Sequence, residues 1–363
     1  MTRSKKNKVA VAFSGGVDSS VAAALLKKRG YKITGIFMRL FDGGKDDEQA
    51  ARRAAQKLRI NFKSVDLRRQ FKKLVMDYFS REYNAGRTPN PCVICNEKIK
   101  FGLLMKQAQK TRVDFIATGH YARLRREIQN PKLEVRNKSQ GPKSRKHAYK
   151  LLTAKDKQKD QSYFLYRLSQ KQLNRAIFPL GGYTKEKVYR LAKKWRLFHK
   201  KESSADVCFM VGQKLEPFLK KHLKLRSGRI VDLNGKVLGR HEGLALYTIG
   251  QRAGVGGPGP FYAIRKDKKK NQLVVSRNEK DLLSGSLIIK NVNWLAGRAP
   301  KLPLVCRVKI RYKSNPAAAI ISKIAEERAL NVKFKQPQRA ITPGQSAVFY
   351  GQEEEVLGGG IIV

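Results

Sequence analysis

Acidic residues are scarce in this chain: 28 Asp and Glu stand against 78 Lys and Arg, a formal net charge of +50 over 363 residues. Such a balance points to a polyanionic partner, of which nucleic acid is the commonest. A lysine-rich composition bias would put the same charge on every solvated face. The excess runs along the whole chain, so it suggests RNA or DNA without locating it. Cysteine is almost absent, with only Cys92, Cys95, Cys208 and Cys306. Four in a chain of this length exclude a disulfide scaffold. Apolar runs are short; none approaches the roughly 18 residues of a membrane span. Met1 to Lys8 is basic, with no apolar stretch ending in a small-residue cleavage site, so the expected compartment is the cytoplasm.

A phosphate-binding lysine is also missing. The stretch Ala12 to Ser20 (Ala-Phe-Ser-Gly-Gly-Val-Asp-Ser-Ser) has no Lys after its glycines and no Gly-x-Gly-x-x-Gly spacing. What it does have is a short apolar strand before it, Val9 to Phe13, and an alanine- and leucine-rich helix after it, about Ser19 to Lys28. Small side chains at Ser14, Gly15 and Gly16 let backbone N–H groups close on an anion, and the positive end of the helix dipole points at the same spot. Asp18 and Ser19 are placed to cap the first helical N–H groups. The Ser-Gly-Gly-x-Asp-Ser form resembles the pyrophosphate loop of enzymes that cleave ATP to AMP and pyrophosphate. An ordinary glycine turn is the plainer alternative.

The first half of the chain alternates strand and helix. Strands are expected at Val9–Phe13, Lys32–Met38, Phe62–Leu67 and Phe115–Thr118, and helices at Ser19–Lys28, Asp46–Leu58, Phe71–Asn84 and Asn96–Gln109. This rhythm predicts a parallel sheet covered on both faces, with ligands beyond the carboxyl ends of its strands. Phe37 and Met38 would then flank an adenine. Glu127 to Lys159 reads as a basic loop or hairpin insertion. After about Gln213 the texture becomes short Gly- and Pro-punctuated strands, which suggests small β domains or a barrel. The expected division is 1–212, 213–283 and 284–363.

Asn90-Pro91-Cys92-Val93-Ile94-Cys95-Asn96 places two cysteines three apart at a loop-to-helix junction. Cys95, near that helix start and close to Arg87, Lys98 and Lys100, would have its thiolate stabilised. Zinc is disfavoured because no second pair at ligand spacing exists. Cys208 is a further nucleophile for an ATP-activated intermediate. Cys306, in an alternating strand pattern, reads as a buried structural residue.

Taken together, these motifs resemble the tRNA-specific 2-thiouridylases, which place sulfur on the wobble uridine of certain tRNAs. The resemblance spans essentially the full length. It rests on Ser14-Gly-Gly-Val-Asp-Ser19, Gly86-Arg-Thr-Pro-Asn-Pro91 with Cys95-Asn96, Thr118-Gly-His-Tyr-Ala-Arg123 and Lys159-Asp-Gln-Ser-Tyr-Phe164. Asp206-x-Cys208-Phe209, Gly250-Gln-Arg-Ala-Gly254, Arg311-Tyr312 and Pro343-Gly-Gln345 complete it. The family implies an α/β, Rossmann-like catalytic domain of the adenine-nucleotide alpha-hydrolase type, a small central tRNA-binding module and a C-terminal β-barrel-like domain. It implies ATP at Ala12, Phe13, Ser14, Gly15, Gly16, Val17, Asp18, Ser19, Met38 and Gly119, with magnesium on the phosphates. Uracil adenylation would be followed by sulfur transfer from a Cys208 persulfide. Cys95 would attack that persulfide, releasing sulfide or leaving a Cys95–Cys208 disulfide. Asn90, Pro91 and Cys92 correspond to the target-base segment, and His120, Lys159, Asp160, Gln161, Arg311, Tyr312 and Gln345 to tRNA contacts. The implied partners are tRNA and a persulfide-donating sulfur carrier or cysteine desulfurase.

The chain departs from the family at Cys92, where many members carry Asp. That weakens any acid/base role there and brings in a second route to the same thiolation, through an iron–sulfur cluster on Cys92, Cys95 and Cys208. Two further readings compete with thiolation: an ATP pyrophosphatase acting on a small metabolite, and a non-catalytic RNA-binding protein.

Overall fold

The computed structural model describes residues 7–42, 45–110, 112–128, 147–197, 207–210, 213–256, 259–325 and 328–363. Its first layer is a five-stranded parallel sheet in the order β3-β2-β1-β4-β7. The strands are β1 Lys8–Ala12, β2 Lys32–Arg39, β3 Asn61–Asp66, β4 Phe115–Ala117 and β7 Ala176–Ile177. β1 lies between β2 and β4, with Val9 opposite Ile33 on one side and Phe115 on the other. The loop after β1 therefore emerges at the middle of the sheet's carboxyl edge.

Helix α1, Val17–Lys28, is buried on almost every side from Val17 to Leu26. Alanines at 22, 23 and 24 explain this. Ala23 and Leu26 lie close on the sheet, while Ala22, Ala24 and Val21 meet Val188 and Ala192 of the helix Lys185–Lys194. Helix α2 is Lys45–Lys57. Two longer helices follow, each with a π-helical middle. One runs through α3 Arg68–Phe71, the wide turns Lys72–Met76 and α4 Asp77–Asn84; the other through α5 Pro91–Ile94, Cys95–Leu103 and α6 Leu104–Gln109. The second helix thus begins at Pro91, where the fixed φ of proline suits a first helical turn, and not at Asn96 as the periodicity predicts. Cys95 consequently lies one turn inside the helix.

The Glu127–Lys159 region includes part of an antiparallel hairpin, β5 Arg123–Ile128 with β6 His147–Leu152; the intervening 129–146 lie outside the described residues, as does Asp206 of the Cys208 motif. The central region is a four-stranded sheet, β10-β11-β8-β9, built from β8 Gly228–Val231, β9 Val237–His241, β10 Tyr262–Asp267 and β11 Gln272–Ser276. The last region is a closed six-strand barrel. Its strands are β12 Leu283–Trp294, β13 Leu304–Lys309, β14 Ala317–Lys323, β15 Ala329–Arg339, β16 Ser346–Tyr350 and β17 Glu355–Ile362, with β12 pairing to both β15 and β17. Inward residues Leu287, Ile289, Cys306, Val308, Ile321, Val332, Phe349 and Ile362 fill it. Strand β6 adds onto β17 at Leu152 opposite Glu355, which joins the hairpin of the first domain to the barrel.

Candidate active site

A cavity of about 730 Å³ opens at the carboxyl edge of the parallel sheet. Ala12, Phe13, Ser14, Asp18 and Ser19 form one wall, Thr118, Gly119 and His120 another. Phe37 and Met38 at the end of β2 and Leu40 and Phe41 just beyond it, with Phe71 and Val75, make an apolar lobe. Pro91, Cys92, Cys95, Lys100, Gln161 and Cys208 complete the lining.

The start of α1 carries no side-chain cap. Asp18 and Ser19 do not cap it, contrary to expectation, because both are drawn elsewhere. The Asp18 carboxylate accepts hydrogen bonds from Lys185 Nζ to both its oxygens at 2.9 Å and from Tyr121 Oη at 2.9 Å. Ser19 Oγ donates to the Gly16 carbonyl and lies 3.2 Å from Ser14 Oγ. The first N–H groups of α1 are thus left for a ligand, which suits a phosphate. Gly15 holds φ at +77°, and a Cβ there would come within 2.6 Å of the Ala51 backbone nitrogen, so glycine lets the loop turn against α2. Gly15, Gly16 and Val17 shape the loop without lining the cavity; Val17 packs into the core beneath it. Gly119 closes over the same turn: a Cβ on it would sit 3.0–3.1 Å from Asp18 and Ser19. The residues present therefore fit a nucleotide with its phosphates at α1 and its base in the apolar lobe.

All four cysteines are free thiols, and Cys208 is exposed. It lies in a short turn, Cys208–Met210, anchored by Phe209, whose ring is 5.8 Å from Phe71, 5.3 Å from Phe79 and 5.6 Å from Phe218. The sulfur thus reaches the cavity while protein atoms crowd around it. Burial pushes its thiol up to about 12, with Cys95 and Cys92 adding to the effect. Cys95 is buried, and burial pushes it up to about 11. This corrects the expectation of a stabilised Cys95 thiolate. The desolvation opposes the charged form, and of the three cations invoked, Arg87 pairs with Glu82 and Lys98 with Glu97. Lys100 alone acts on the thiols, favouring the charged form of Cys92, Cys95 and Cys208. Cys92 is half-buried, and burial raises its thiol as well. Among the described residues no three of His, Cys, Asp and Glu are gathered as a metal-binding group. Cys306 is buried in the barrel.

The remaining motif residues divide between cavity and seam. His120 is buried in the cavity wall with Nδ1 2.7 Å from Thr118 Oγ1, and burial lowers its pKa well below the ordinary value, so it is neutral. Gln161 accepts from the Tyr121 N–H, and Lys159 is exposed. Asp160 turns inward instead, accepting hydrogen bonds from Ala154 N–H, Ser162 N–H and Ser162 Oγ. Arg311 and Tyr312 follow β13 in a turn. Arg311 donates to the carbonyls of Ile249 (3.0 Å) and Ala340 (2.5 Å) and to Thr342 Oγ1 (2.7 Å), while the Tyr312 ring packs tilted against Phe164, with centroids 4.5 Å apart. Asn90 donates to Tyr163 Oη and Gln345 Oε1, and Gln345 donates to the Thr88 carbonyl. The barrel turn Pro343–Gln345 thereby holds the loop that leads into the cysteine helix. Sequence reasoning missed Lys185, the lobe residues Phe41 and Phe71, and Arg68, which lines the cavity beside them; Lys185, 167 positions from Asp18, carries no local signal.

A parallel sheet with an uncapped helix at its centre, an apolar lobe beside it and three thiols on the facing wall defines a nucleotide-binding domain equipped for sulfur chemistry. The family described as "tRNA methyl transferase HUP domain" matches residues 7–212, the PRC-barrel domain of the same series residues 216–277, and "Aminomethyltransferase beta-barrel domain" residues 284–362. Over 358 residues the chain is 44% identical to a tRNA-specific 2-thiouridylase MnmA of Syntrophomonas wolfei, covering 98% of this chain and 99% of that one. It is 40% identical to the protein of that name in Geobacter metallireducens, over 100% of this chain and 98% of the relative. Among solved structures, the thiolase NcsA of Methanococcus maripaludis, described with its [4Fe-4S] cluster, aligns at a TM-score of 0.35 and 21% identity over 56% of this chain and 62% of that one, too loose a likeness for argument. The chain belongs to the tRNA-specific 2-thiouridylase family. Among the described residues, no helix is long and apolar enough to cross a membrane.

Proposed function

We propose that the chain is a cytoplasmic tRNA-uridine 2-sulfurtransferase that uses ATP to put sulfur on the wobble uridine. Its three working parts are a catalytic domain over 1–212, a central tRNA-binding module over 213–283 and a barrel over 284–363. The observation that carries this reading is the exposure of Cys208 onto the same cavity as Ser14, Asp18 and Ser19. ATP enters with its adenine in the lobe of Phe37, Met38 and Phe41 and its phosphates at the uncapped start of α1. Magnesium bound with the phosphates would supply charge neutralisation, and Asp18, held by Lys185 and Tyr121, is the carboxylate beside the loop. The wobble base must leave its stack to reach this depth. Asn90, Pro91 and Cys92 receive it, while Lys159, Gln161, His120, Arg311, Tyr312 and Gln345 lie on or behind the surface that takes the tRNA.

The uracil C2 oxygen attacks the α-phosphorus, giving an adenylated base and pyrophosphate. Cys208 carries a sulfane sulfur accepted from a carrier protein or cysteine desulfurase. Cys95 attacks Cys208 Sγ, forming a Cys95–Cys208 disulfide and expelling hydrosulfide, which adds at C2 and displaces AMP. A dithiol reductant then resets the disulfide. Burial favours the protonated Cys95 thiol, while Lys100 favours its ionisation.

The test is a single turnover of Cys208-persulfidated protein with ATP and unmodified tRNA, following 2-thiouridine and AMP together. Equal yields of both support the reading; AMP without thiouridine, or thiouridine without ATP, overturns it.

A further inference from the structure

The glycine loop between β1 and α1 has no lysine of its own, and the fold brings one to it from 167 positions away. Lys185 Nζ lies 2.9 Å from each oxygen of Asp18, the second residue of α1, and Tyr121 Oη donates to one of them at 2.9 Å. We propose that Lys185 is a positioning residue for the phosphate site. It holds the Asp18 carboxylate to one side and cancels its charge, so that the start of α1 stays open to an anion. This rests on the reading of that helix start as the seat of the ATP phosphates.

Asp18 is poorly placed for such a site without help. A carboxylate in the first turn of a helix is drawn to the free N–H groups and the positive dipole end. Those are the groups a phosphate needs. An unpaired carboxylate there would either occupy them or repel the phosphate. At a separation of about 6 Å, that repulsion is enough to change an anion's affinity by about tenfold or more. In the structure no side chain bonds the first N–H groups of α1. The facing turn confines Asp18 as well, since a Cβ added at Gly119 would stand 3.0 Å from the Asp18 Cβ.

The position of Lys185 is not explained by the helix it begins. It is the first residue of Lys185–Lys194, directly after the cap Thr184, whose side chain accepts from the Lys187 N–H. A cation at that end of a helix works against the dipole. The site around it is nevertheless well defined. The Lys185 N–H donates to Asp156 at 2.9 Å, its ammonium stands 4.8 Å from the centre of the Tyr189 ring, and its side chain is only 12% exposed. Val188 and Ala192 of the same helix share a core with Val21, Ala22 and Ala24 of α1. Packing of the two helices thus carries ammonium and carboxylate to each other. A local rule broken where the packing is so definite points to a role at the site.

The test is pyrophosphate binding by the full-length protein, measured by calorimetry in EDTA without tRNA or sulfur donor. With magnesium chelated, only the charge of Asp18 counts. Lys185→Met should weaken binding about tenfold, because an uncancelled carboxylate then faces the anion. Lys185→Met combined with Asp18→Asn removes both charges and should return the affinity to within about twofold of wild type, as expected when one residue acts through the other. A double variant as weak as Lys185→Met overturns the proposal, because the ammonium then acts on the anion directly. Unchanged binding in Lys185→Met also overturns it and leaves the pair as a tie between helices. Should the single variant fail to fold by urea unfolding, the double variant decides alone: wild-type affinity supports the proposal and its loss overturns it. Wild type that takes up no pyrophosphate removes the phosphate site and this proposal together. The expected pattern in a protein that makes no thiouridine leaves the role of Lys185 standing while the sulfurtransfer reading fails.

Discussion

The cavity at the sheet edge and the seam beneath the barrel are built on opposite terms. In the cavity, the start of α1 is left uncapped, Cys208 is exposed, and no carboxylate among the described residues pairs with Lys100. At the seam, Arg311 meets three acceptors, Asn90 and Gln345 bond to each other and to Tyr163 and Thr88, and Asp160 is held by Ser162 and Ala154. A region that keeps polar groups unsatisfied has kept them for a ligand; one that satisfies them has spent them on its own architecture. The lesson is that two sets of family motifs, indistinguishable in the sequence, carry different costs when changed.

The sharpest way to break the contrast is Cys208→Ser. Thiolation should vanish while urea unfolding stays where it was, because an exposed sulfur supports little packing. A large loss of stability would mean that Cys208 belongs to the architecture. Next in size is Arg311→Ala at the seam, expected to cost about 3 kcal/mol of unfolding free energy, since buried acceptors lose charged donors. ATP binding by the folded protein, measured by calorimetry, should remain; its loss would merge the two regions.

A smaller effect concerns the thiols. Their raised pKa values predict that alkylation by iodoacetamide climbs about tenfold per pH unit between pH 7 and 9, in step with the thiolate fraction. Lys100→Met should slow it at every pH, because the cation that favours the thiolates is gone. An unchanged rate would remove Lys100 from the site. The smallest change is Glu354→Gln, where the barrel meets the hairpin through Lys157, Arg123 and Thr153. The Lys157 ammonium, first among its partners, holds Glu354 below its ordinary 4.5. A depressed carboxylate stabilises the fold above that value and ceases to do so as pH falls through the folded one. Wild type and variant should therefore differ by about 0.5 kcal/mol or less at pH 7, as exposed pairs do, and converge below pH 4.5 in acid titrations followed by circular dichroism.

Legibility followed range. The Ser14–Ser19 turn, the helix that follows it and the parallel sheet could be read because each depends on neighbours within a few residues. The cysteine helix was placed five residues late, since Asn90-Pro91 reads as a breaker to periodicity although proline serves as a helix start. Asp18 was misassigned as a cap because Lys185, its actual partner, is distant in the chain. The thiolate expected at Cys95 failed for the same reason: desolvation depends on what folds over a residue, and only nearby cations were visible.

By itself the amino-acid order determined the nucleotide loop, the α/β first half, the β-rich remainder, the charge and the three cysteines that matter. Those are consequences of backbone freedom, hydrophobic period and residue type, all of which act locally. Tertiary structure alone decided that Cys92, Cys95 and Cys208 share one wall, that Arg311 and Gln345 bind protein groups, and that a hairpin of the first domain becomes a neighbour of the barrel's last strand. Such outcomes depend on which surfaces exclude water from one another, and that is settled only when distant segments pack.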